Sequence, residues 1–204
     1  MSSVILAEHI AAISTSKDAN VPKSVRQMLH RVTLDAYGLM LSARGNDYIK
    51  AIEGSCLDQG NSTAFGHGSR FTVQDAALIN GTAIHGEDFD DTFEGTPVHV
   101  SSVIIPTMLA IAEREQIDQE RFISSMAHGA ELICRLALVA PTAVHRQGFH
   151  PTAILGAFGA SLTASMAYGL NAQQTASALG IVGSMASGII EYLAEGTWTK
   201  RMHP

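Results

Sequence analysis

The stretch from Pro151 to Ile190 contains no Asp, Glu, Lys or Arg, and it constrains the fold more than any other part of the chain. Within it, "AILGAFGASLTASMAYGL" has about the length of a helix that spans a membrane. The composition favours a different structure, since Gly, Ala, Ser and Thr outnumber Leu, Ile and Phe, and "NAQQ" follows. Small residues let helices approach closely. The stretch therefore predicts a buried helical hairpin in a soluble protein rather than a membrane span.

The segment "VPKSVRQMLHRVTLDAYGLMLSARG" predicts a long amphipathic helix. Pro22 suits its first turn and Gly45 suits its end. Its apolar residues recur at spacings of three and four, which is the period of one helix face. These residues are Val25, Met28, Leu29, Val32, Ala36, Leu39 and Met40.

Capping signals predict further helices along the chain. Thr72 with Asp75 forms a capping box that opens a helix through Ala83. "VIIPTMLAIAERE" has an apolar helix face, Asp118 caps "DQERFISSMAHGAELICRLAL", and Asn171 with Gln174 caps a helix through about Ser187. "STAFG" at 62–66 is the one strand-like segment. The predicted fold class is all-α.

Composition narrows the functional classes. The chain has 204 residues and a formal net charge of -6, without a visible stripe of Lys and Arg, so no nucleic-acid partner is expected. Cys56 and Cys134 form no CxxC motif, which favours free thiols and a cytoplasmic protein over a disulfide framework. No basic segment followed by an apolar run marks a secretion signal at the N-terminus.

Acidic residues and histidines are concentrated in the segment "HGEDFDDTFEGTPVHVSS", residues 85–102. Two motif matches within it are weak. "DFDDT" matches the nucleophile loop of haloacid-dehalogenase-type phosphatases, but that loop follows a buried parallel strand, and the preceding residues have helical spacing. "DDTFE" resembles the Mg²⁺-binding motif of helical isoprenoid synthases. Gly95, Thr96 and Pro97 follow at once, however, so no helix continues to carry it.

Acid–base chemistry on a small carboxylic acid explains this segment better. Asp88 and the histidines His85, His99 and His150 can supply a base and an acid. Clustered carboxylates shift one another's pKa. Lys200 or Arg201 can neutralise a substrate carboxylate.

Taken together, several segments resemble the MmgE/PrpD family, which includes 2-methylcitrate dehydratase, cis-aconitate decarboxylase and iminodisuccinate epimerase. The matching segments are "NGTAIHGEDFDDT", "HVSSVIIPTMLAIAE", "GFHPTAILGAFGAS" and "ALGIVGSMASGIIEYLAEGTWTKRMHP". Their order and spacing agree over nearly the whole chain. The resemblance departs from the family pattern after His99, where Val100 replaces the usual proline.

The resemblance implies a helical domain that carries most of an active site, a smaller α/β domain that covers it, and a homodimer without an iron–sulfur cluster or an obligatory metal. It implies Asp88, His99 and His150 as catalytic residues, with the choice of base among them open. It implies Thr92 and Lys200 as substrate-binding residues. A histidine near neutral pKa is the natural proton carrier, whereas His85, at a helix end, is weighed as structural.

The expected activity is that of a lyase that removes or delivers a proton on a small di- or tricarboxylic acid, with dehydration of 2-methylcitrate as the first expectation. Decarboxylation of cis-aconitate and epimerisation of iminodisuccinate share the proton-transfer step. Residues 1–204 are expected to form the family's N-terminal helical domain without the α/β domain, since "GTWTKRMHP" looks like the start of another element. A separately encoded C-terminal half, or an inactive helical dimerisation domain, are further expectations.

Overall fold

The computed structural model describes residues 5–16 and 20–204, and helices dominate them. The α-helices are α1 Leu6–Ser14, α2 Lys23–Ala43, α3 Asp47–Ser55, α4 Val73–His85, α5 Ser101–Glu115, α6 Gln119–Val139, α7 Ala143–Arg146, α8 Pro151–Ala167, α9 Ala172–Met185 and α10 Tyr192–Glu195. A 3₁₀ helix, Trp198–Met202, follows them. The all-α prediction is confirmed.

The centre of the fold is the packing of α4, α5, α6 and α8. Two glycines let α6 and α8 approach closely. A Cβ at Gly129 would lie 1.9 Å from the hydroxyl of Thr163, and one at Gly159 would lie 2.3 Å from Ile133. The small residues that make residues 151–190 resemble a membrane span therefore allow close packing between helices.

The predicted helix starts are confirmed at three caps. The Thr72 hydroxyl accepts a hydrogen bond from the Asp75 amide at 3.1 Å, and Asp118 caps α6 in the same way. At α9, Asn171 and Gln174 form a complete capping box. Each cap satisfies a backbone N–H that has no partner within the helix.

The charge-free stretch forms a helical hairpin, as predicted, but its two arms differ in burial. Along α8, nine residues are buried. Along α9, only Thr175 and Leu179 are buried, and Ile181 is 63% exposed. By length and composition, α6 is the one helix among residues 5–16 and 20–204 that could cross a membrane, with 44% of its apolar window buried. Core helices of soluble proteins meet the same criterion.

The short β-structure differs from the prediction at 62–66. Strand β1 is Gln59–Thr63, and it pairs antiparallel with β2, Arg70–Phe71. Glu113 of α5 accepts hydrogen bonds from the backbone amide and hydroxyl of Thr63. The sequence pattern missed this register because a two-residue strand has no alternation to detect.

The apolar face predicted for α2 is only partly correct. Leu29, Ala36 and Met40 are buried, whereas Val25 and Met28 are 37% and 54% exposed. The helix lies at the surface against α4, α5 and α6, so it buries a stripe narrower than its apolar pattern.

Candidate active site

The acidic segment forms an irregular loop, residues 86–100, between α4 and α5. Two local contacts fix its path. The Phe93 amide donates to the Val98 carbonyl at 2.9 Å, and the Asp91 carboxylate accepts from the Ser101 amide at 3.0 Å, at the start of α5. Asp88 has a φ of 58°, a left-handed conformation that is uncommon for residues other than glycine. The loop thus holds one aspartate in a conformation that the local sequence alone does not favour.

One buried carboxylate lies between two histidines. Asp90 accepts a hydrogen bond from His85 Nδ1 at 3.0 Å through Oδ2, and its other oxygen lies 3.3 Å from His99 Nδ1. The second contact is an ion pair without hydrogen-bond alignment, because Asp90 Oδ1 and His99 Nδ1 have no hydrogen-bond partner among the described residues. The His85 and His99 rings meet edge to face, with centroids 4.7 Å apart. The side chains of His85 and Asp90 are wholly buried.

This arrangement shifts the pKa values of the two histidines in opposite directions. Burial lowers the pKa of His85, and the hydrogen bond that His85 donates to Asp90 only partly opposes it. Burial also acts to lower the pKa of His99, but the interaction with Asp90 outweighs it, so that pKa lies above its ordinary value. Burial acts to raise the pKa of Asp90, yet the two histidines hold it well below its usual range. Asp90 is therefore anionic, His85 neutral, and His99 the histidine best able to carry a proton.

A second pair of histidines lies against this group. His150 precedes α8, and its amide donates to the Gly188 carbonyl at 2.9 Å. Its ring stacks on His85 with centroids 5.6 Å apart, and its Nδ1 lies 2.9 Å from Nδ1 of His203. Tyr192 contacts both His150 and His203 edge to face. Gly188 has a φ of 126°, and a Cβ there would lie 2.6 Å from Ala153, so this junction requires glycine.

Burial is the main reason that this second pair stays neutral. Burial is the largest cause that lowers the pKa of His150, to about 2, and His85 and His203 lower it further. Burial likewise lowers the pKa of His203. The pKa of Tyr192 is raised to about 12, first by burial and then by the charge of Asp88. A short Nδ1–Nδ1 contact requires that one ring donates and the other accepts, which fits neutral imidazoles.

An ion pair between the exposed Asp88 and the mostly buried Lys200 closes the group on its outer side. The Lys200 ammonium donates to the carboxylate of Asp88. That carboxylate also lies 3.9 Å from Nε2 of His99. Asp88 is 58% exposed and Lys200 is 19% exposed at the side chain. The proton-carrying histidine therefore faces an outer pair of opposite charges.

His85, Asp88, Asp90 and His99 each offer one potential metal ligand, and these atoms lie within 4.8 Å of one another. The Lys200 ammonium, however, already pairs with Asp88. A divalent cation would have to displace it and then remain close to its charge. The arrangement fits ion-paired acid–base groups more closely than a metal centre.

Four of the five predicted site residues come together in the structure, namely Asp88, His99, His150 and Lys200. Thr92 lies elsewhere. It is exposed and lines a groove of about 310 Å³ whose walls include Met28, Phe93 and Cys134. Among the described residues it has no hydrogen bond to the histidines, so its role in substrate binding stays a prediction.

Three further residues lie in the group. From the sequence, His85 is expected to be structural, and Asp90 and His203 are not among the predicted site residues. A usable signal existed for His203, because it follows Lys200 at a spacing of three. Arg201, considered as a substrate cation, instead donates to the Gly86 carbonyl at 2.6 Å.

The chain is similar to proteins whose names refer to cis-aconitate decarboxylase. A cis-aconitate decarboxylase-like protein of Aspergillus oryzae is 26% identical over 98% of this chain and 44% of its own length. Cis-aconitate decarboxylase of Homo sapiens is 32% identical over 63% of this chain and 27% of its own length. The Mus musculus enzyme of the same name is 30% identical over 85% of this chain and 37% of its own length. The chain thus spans less than half the length of these relatives.

The MmgE/PrpD N-terminal domain model matches residues 5–204. This match covers nearly the whole chain, and the mostly helical fold agrees with it. The chain therefore belongs to the MmgE/PrpD family.

Proposed function

We propose that this chain forms the proton-transfer site of a lyase that acts on a small di- or tricarboxylic acid. The observation that carries the proposal is the buried Asp90 between His85 and His99. It makes one histidine a proton carrier at neutral pH while its neighbour stays neutral. A general acid with a pKa near the working pH is what a proton-transfer step requires.

Among the candidate substrates, we place cis-aconitate first. Dehydration of 2-methylcitrate was the first expectation from the sequence, but the three relatives named above are cis-aconitate decarboxylases or are described as similar to one. Dehydration remains the alternative, because it uses the same kind of acid to protonate a leaving hydroxyl.

Decarboxylation of cis-aconitate needs a proton donor at carbon. The bond to the departing carboxylate breaks, its electron pair forms a new double bond, and CO₂ leaves. The electron pair of the old double bond then takes one proton at the far alkene carbon. The reaction therefore consumes a proton, and His99, whose pKa is raised, is the described group best able to supply it.

Substrate binding requires a rearrangement of charge at the outer pair. Asp88 and Asp90 carry negative charge while Lys200 and protonated His99 carry positive charge, so these four groups are balanced without substrate. A carboxylate of the substrate would compete with Asp88 for the Lys200 ammonium. Asp88, once released from Lys200, would lie beside His99 and orient it.

The partners belong to the same proposal. We propose a homodimer in the cytoplasm, with no cofactor and with neither nucleic acid nor membrane as a partner. Because the chain spans less than half of its relatives' length, full activity is expected to need a C-terminal half, supplied in the same or a separate chain.

The test is a turnover assay with cis-aconitate, 2-methylcitrate and iminodisuccinate, with this chain alone and mixed with the C-terminal half of a relative. His150→Ala and Asp88→Asn should abolish turnover while circular dichroism shows the folded state. His30→Ala is the matched control, because His30 is exposed on α2 away from the group. Full activity of both site variants would show that the site assignment is wrong.

The outcomes also separate an enzyme from a dimerisation domain. A stable dimer that turns over none of the three acids, alone or mixed, would favour an inactive helical domain. Turnover of 2-methylcitrate without turnover of cis-aconitate would make dehydration the preferred activity and decarboxylation the alternative.

A further inference from the structure

The 3₁₀ helix Trp198–Met202 presents two faces with different contacts. In a 3₁₀ helix, residues three apart lie one above the other. Lys200 and His203 share such a spacing, and both reach the candidate active site. Trp198 and Arg201 share the same spacing, and both contact one residue outside the site, Tyr48 of α3. One face therefore carries acid–base and charged groups, while the other holds the helix in place.

Tyr48 is the residue on which the second face rests. The Arg201 guanidinium lies over its ring, 4.5 Å from the centroid, in a cation–π contact. The Trp198 ring lies 6.4 Å from it at a tilt of 38°. Tyr48 is 6% exposed, whereas Trp198 is 42% exposed, so the Tyr48 side of these contacts is the one shielded from water.

The hydroxyl of Tyr48 joins the same anchor to the acidic loop. It donates to the Glu87 carboxylate at 2.7 Å and accepts from the Asn46 amide group at 2.9 Å. Glu87 directly precedes Asp88, so this hydrogen bond fixes the loop next to the outer ion pair. Tyr48 thereby contacts both segments that carry the outer ion pair, the loop with Asp88 and the helix with Lys200.

Gly86 provides the space that this arrangement needs. A Cβ at Gly86 would lie 2.3 Å from the Tyr48 hydroxyl, so a side chain there would push the ring away. The carbonyl of Gly86 also accepts the hydrogen bond from Arg201. The ring, the guanidinium and the glycine backbone therefore form one packed unit.

We propose that Tyr48 is a positioning residue that holds the 3₁₀ helix against α4, so that Lys200 and His203 face Asp88 and His150. The effect of Tyr48 on catalysis rests on the proposed function, but its effect on the position of the 3₁₀ helix does not depend on any substrate. Tyr48 touches none of the proposed reacting groups, and it acts through Arg201 and Glu87.

The position of this helix can be measured without turnover, because Trp198 is the only tryptophan in the chain. In Tyr48→Ala, Trp198 emission should shift to the red and become easier to quench with acrylamide. Trypsin cleavage after Lys200 and Arg201 should become about tenfold faster, since a lost cation–π contact and hydrogen bond raise the open population by that order. Tyr48→Phe retains the ring and should restore most of the protection.

Tyr37→Ala is the matched control, because Tyr37 is another partly buried tyrosine that packs on Phe65 away from the helix. It should leave Trp198 emission and both cleavages unchanged. If Tyr48→Ala proves unfolded, Arg201→Met takes its place, since it keeps the side-chain length without the charge, and cleavage is then read after Lys200 alone because the trypsin site at 201 is lost. Wild-type quenching and cleavage in the folded variant would overturn the proposal.

In a turnover assay, Tyr48→Ala should raise KM more than it lowers kcat, because Lys200 would no longer be held for a substrate carboxylate. Absence of turnover by the wild-type chain, even when mixed with a C-terminal half, would count against the proposed function but not against the role of Tyr48. The fluorescence and cleavage results would still decide the role of Tyr48.

Discussion

The two sides of the candidate active site differ in how they hold charge. On the inner side, Asp90 and His85 are wholly buried and pair with one another between helices. On the outer side, Asp88 is 58% exposed and pairs with Lys200 from the last helix. The same loop supplies both aspartates, two residues apart, and directs one into the core and the other to the surface.

This difference separates two tasks. Buried charges interact strongly and shift pKa values, so the inner side sets which histidine carries a proton. Exposed charges exchange partners at low energetic cost. The outer side is therefore suited to exchange Asp88 for a substrate carboxylate, while the inner side remains unchanged.

The largest effect is expected at the inner carboxylate. Asp90→Asn removes the charge that raises the pKa of His99, so burial should then dominate and that pKa should fall. Turnover should drop roughly 100- to 10,000-fold, the usual contribution of general acid–base catalysis. In a pH–rate profile, the fall in rate that reports deprotonation of the essential acid should move to lower pH. Titration of the His99 ring by NMR measures the same shift without turnover.

Asp91→Asn is the matched control for this substitution. Asp91 is adjacent, but its carboxylate only accepts from the Ser101 amide, and an asparagine oxygen can do the same. Its pH–rate profile should match that of the wild type. An unchanged His99 titration in Asp90→Asn would contradict the proposed split between the two histidines.

At the outer carboxylate, the informative effect is on ligand binding. It is smaller than the loss of turnover in Asp90→Asn, and it is a gain in affinity. Asp88→Asn should lose turnover, yet bind the unreactive propane-1,2,3-tricarboxylate about two- to fivefold more tightly, the range of an exposed ion pair. Lys200 would then be free for the ligand. Lys200→Met should weaken the same binding. Calorimetry measures both, and weaker binding by Asp88→Asn would refute the exchange of partners.

The inner side also predicts how stability depends on pH. His85, His150 and His203 have lowered pKa values in the folded chain, so below pH of about 6.5 the unfolded chain binds protons that the folded chain does not. His99, whose pKa is raised, acts in the opposite direction only above about pH 6.5, where the folded chain takes up its proton first. Stability should therefore fall as pH drops from 6.5 to 5.5, by about 1.4 kcal/mol per pH unit for each net proton.

Urea unfolding across this pH range measures that slope. His150→Gln should make it shallower, because one of the three buried imidazoles is gone. A stability that rises as pH falls below 6.5 would contradict the neutral state of the buried histidines.

The sequence predicted the helical fold of this molecule better than the contacts within its candidate active site. Helix caps are local, so Thr72, Asp118 and Asn171 could be read directly from the chain. The family resemblance named Asp88, His99, His150 and Lys200, and the fold brings them together. The fold class followed from helical periodicity, which extends over most of the chain.

The inner side was harder to predict because it depends on tertiary contacts. Whether Asp90 forms a turn or pairs with two histidines depends on where the loop crosses α4, which no local pattern records. His85 reads as an ordinary helix end until His150 is stacked on it. Tyr48 lies on a separate helix, far from the site in sequence, so nothing local links it to Lys200.

The smallest effect is expected between the two aspartates, at Phe89, whose side chain is 77% exposed. If the loop simply alternates between core and surface, Phe89→Ser should change the free energy of unfolding by less than about 0.5 kcal/mol, as for most surface substitutions. Urea unfolding of this chain measures it, with Asp90→Asn as the buried counterpart. A loss of several kcal/mol would show that the outer side is covered in solution, and that Asp88 and Lys200 meet a substrate only after that cover opens.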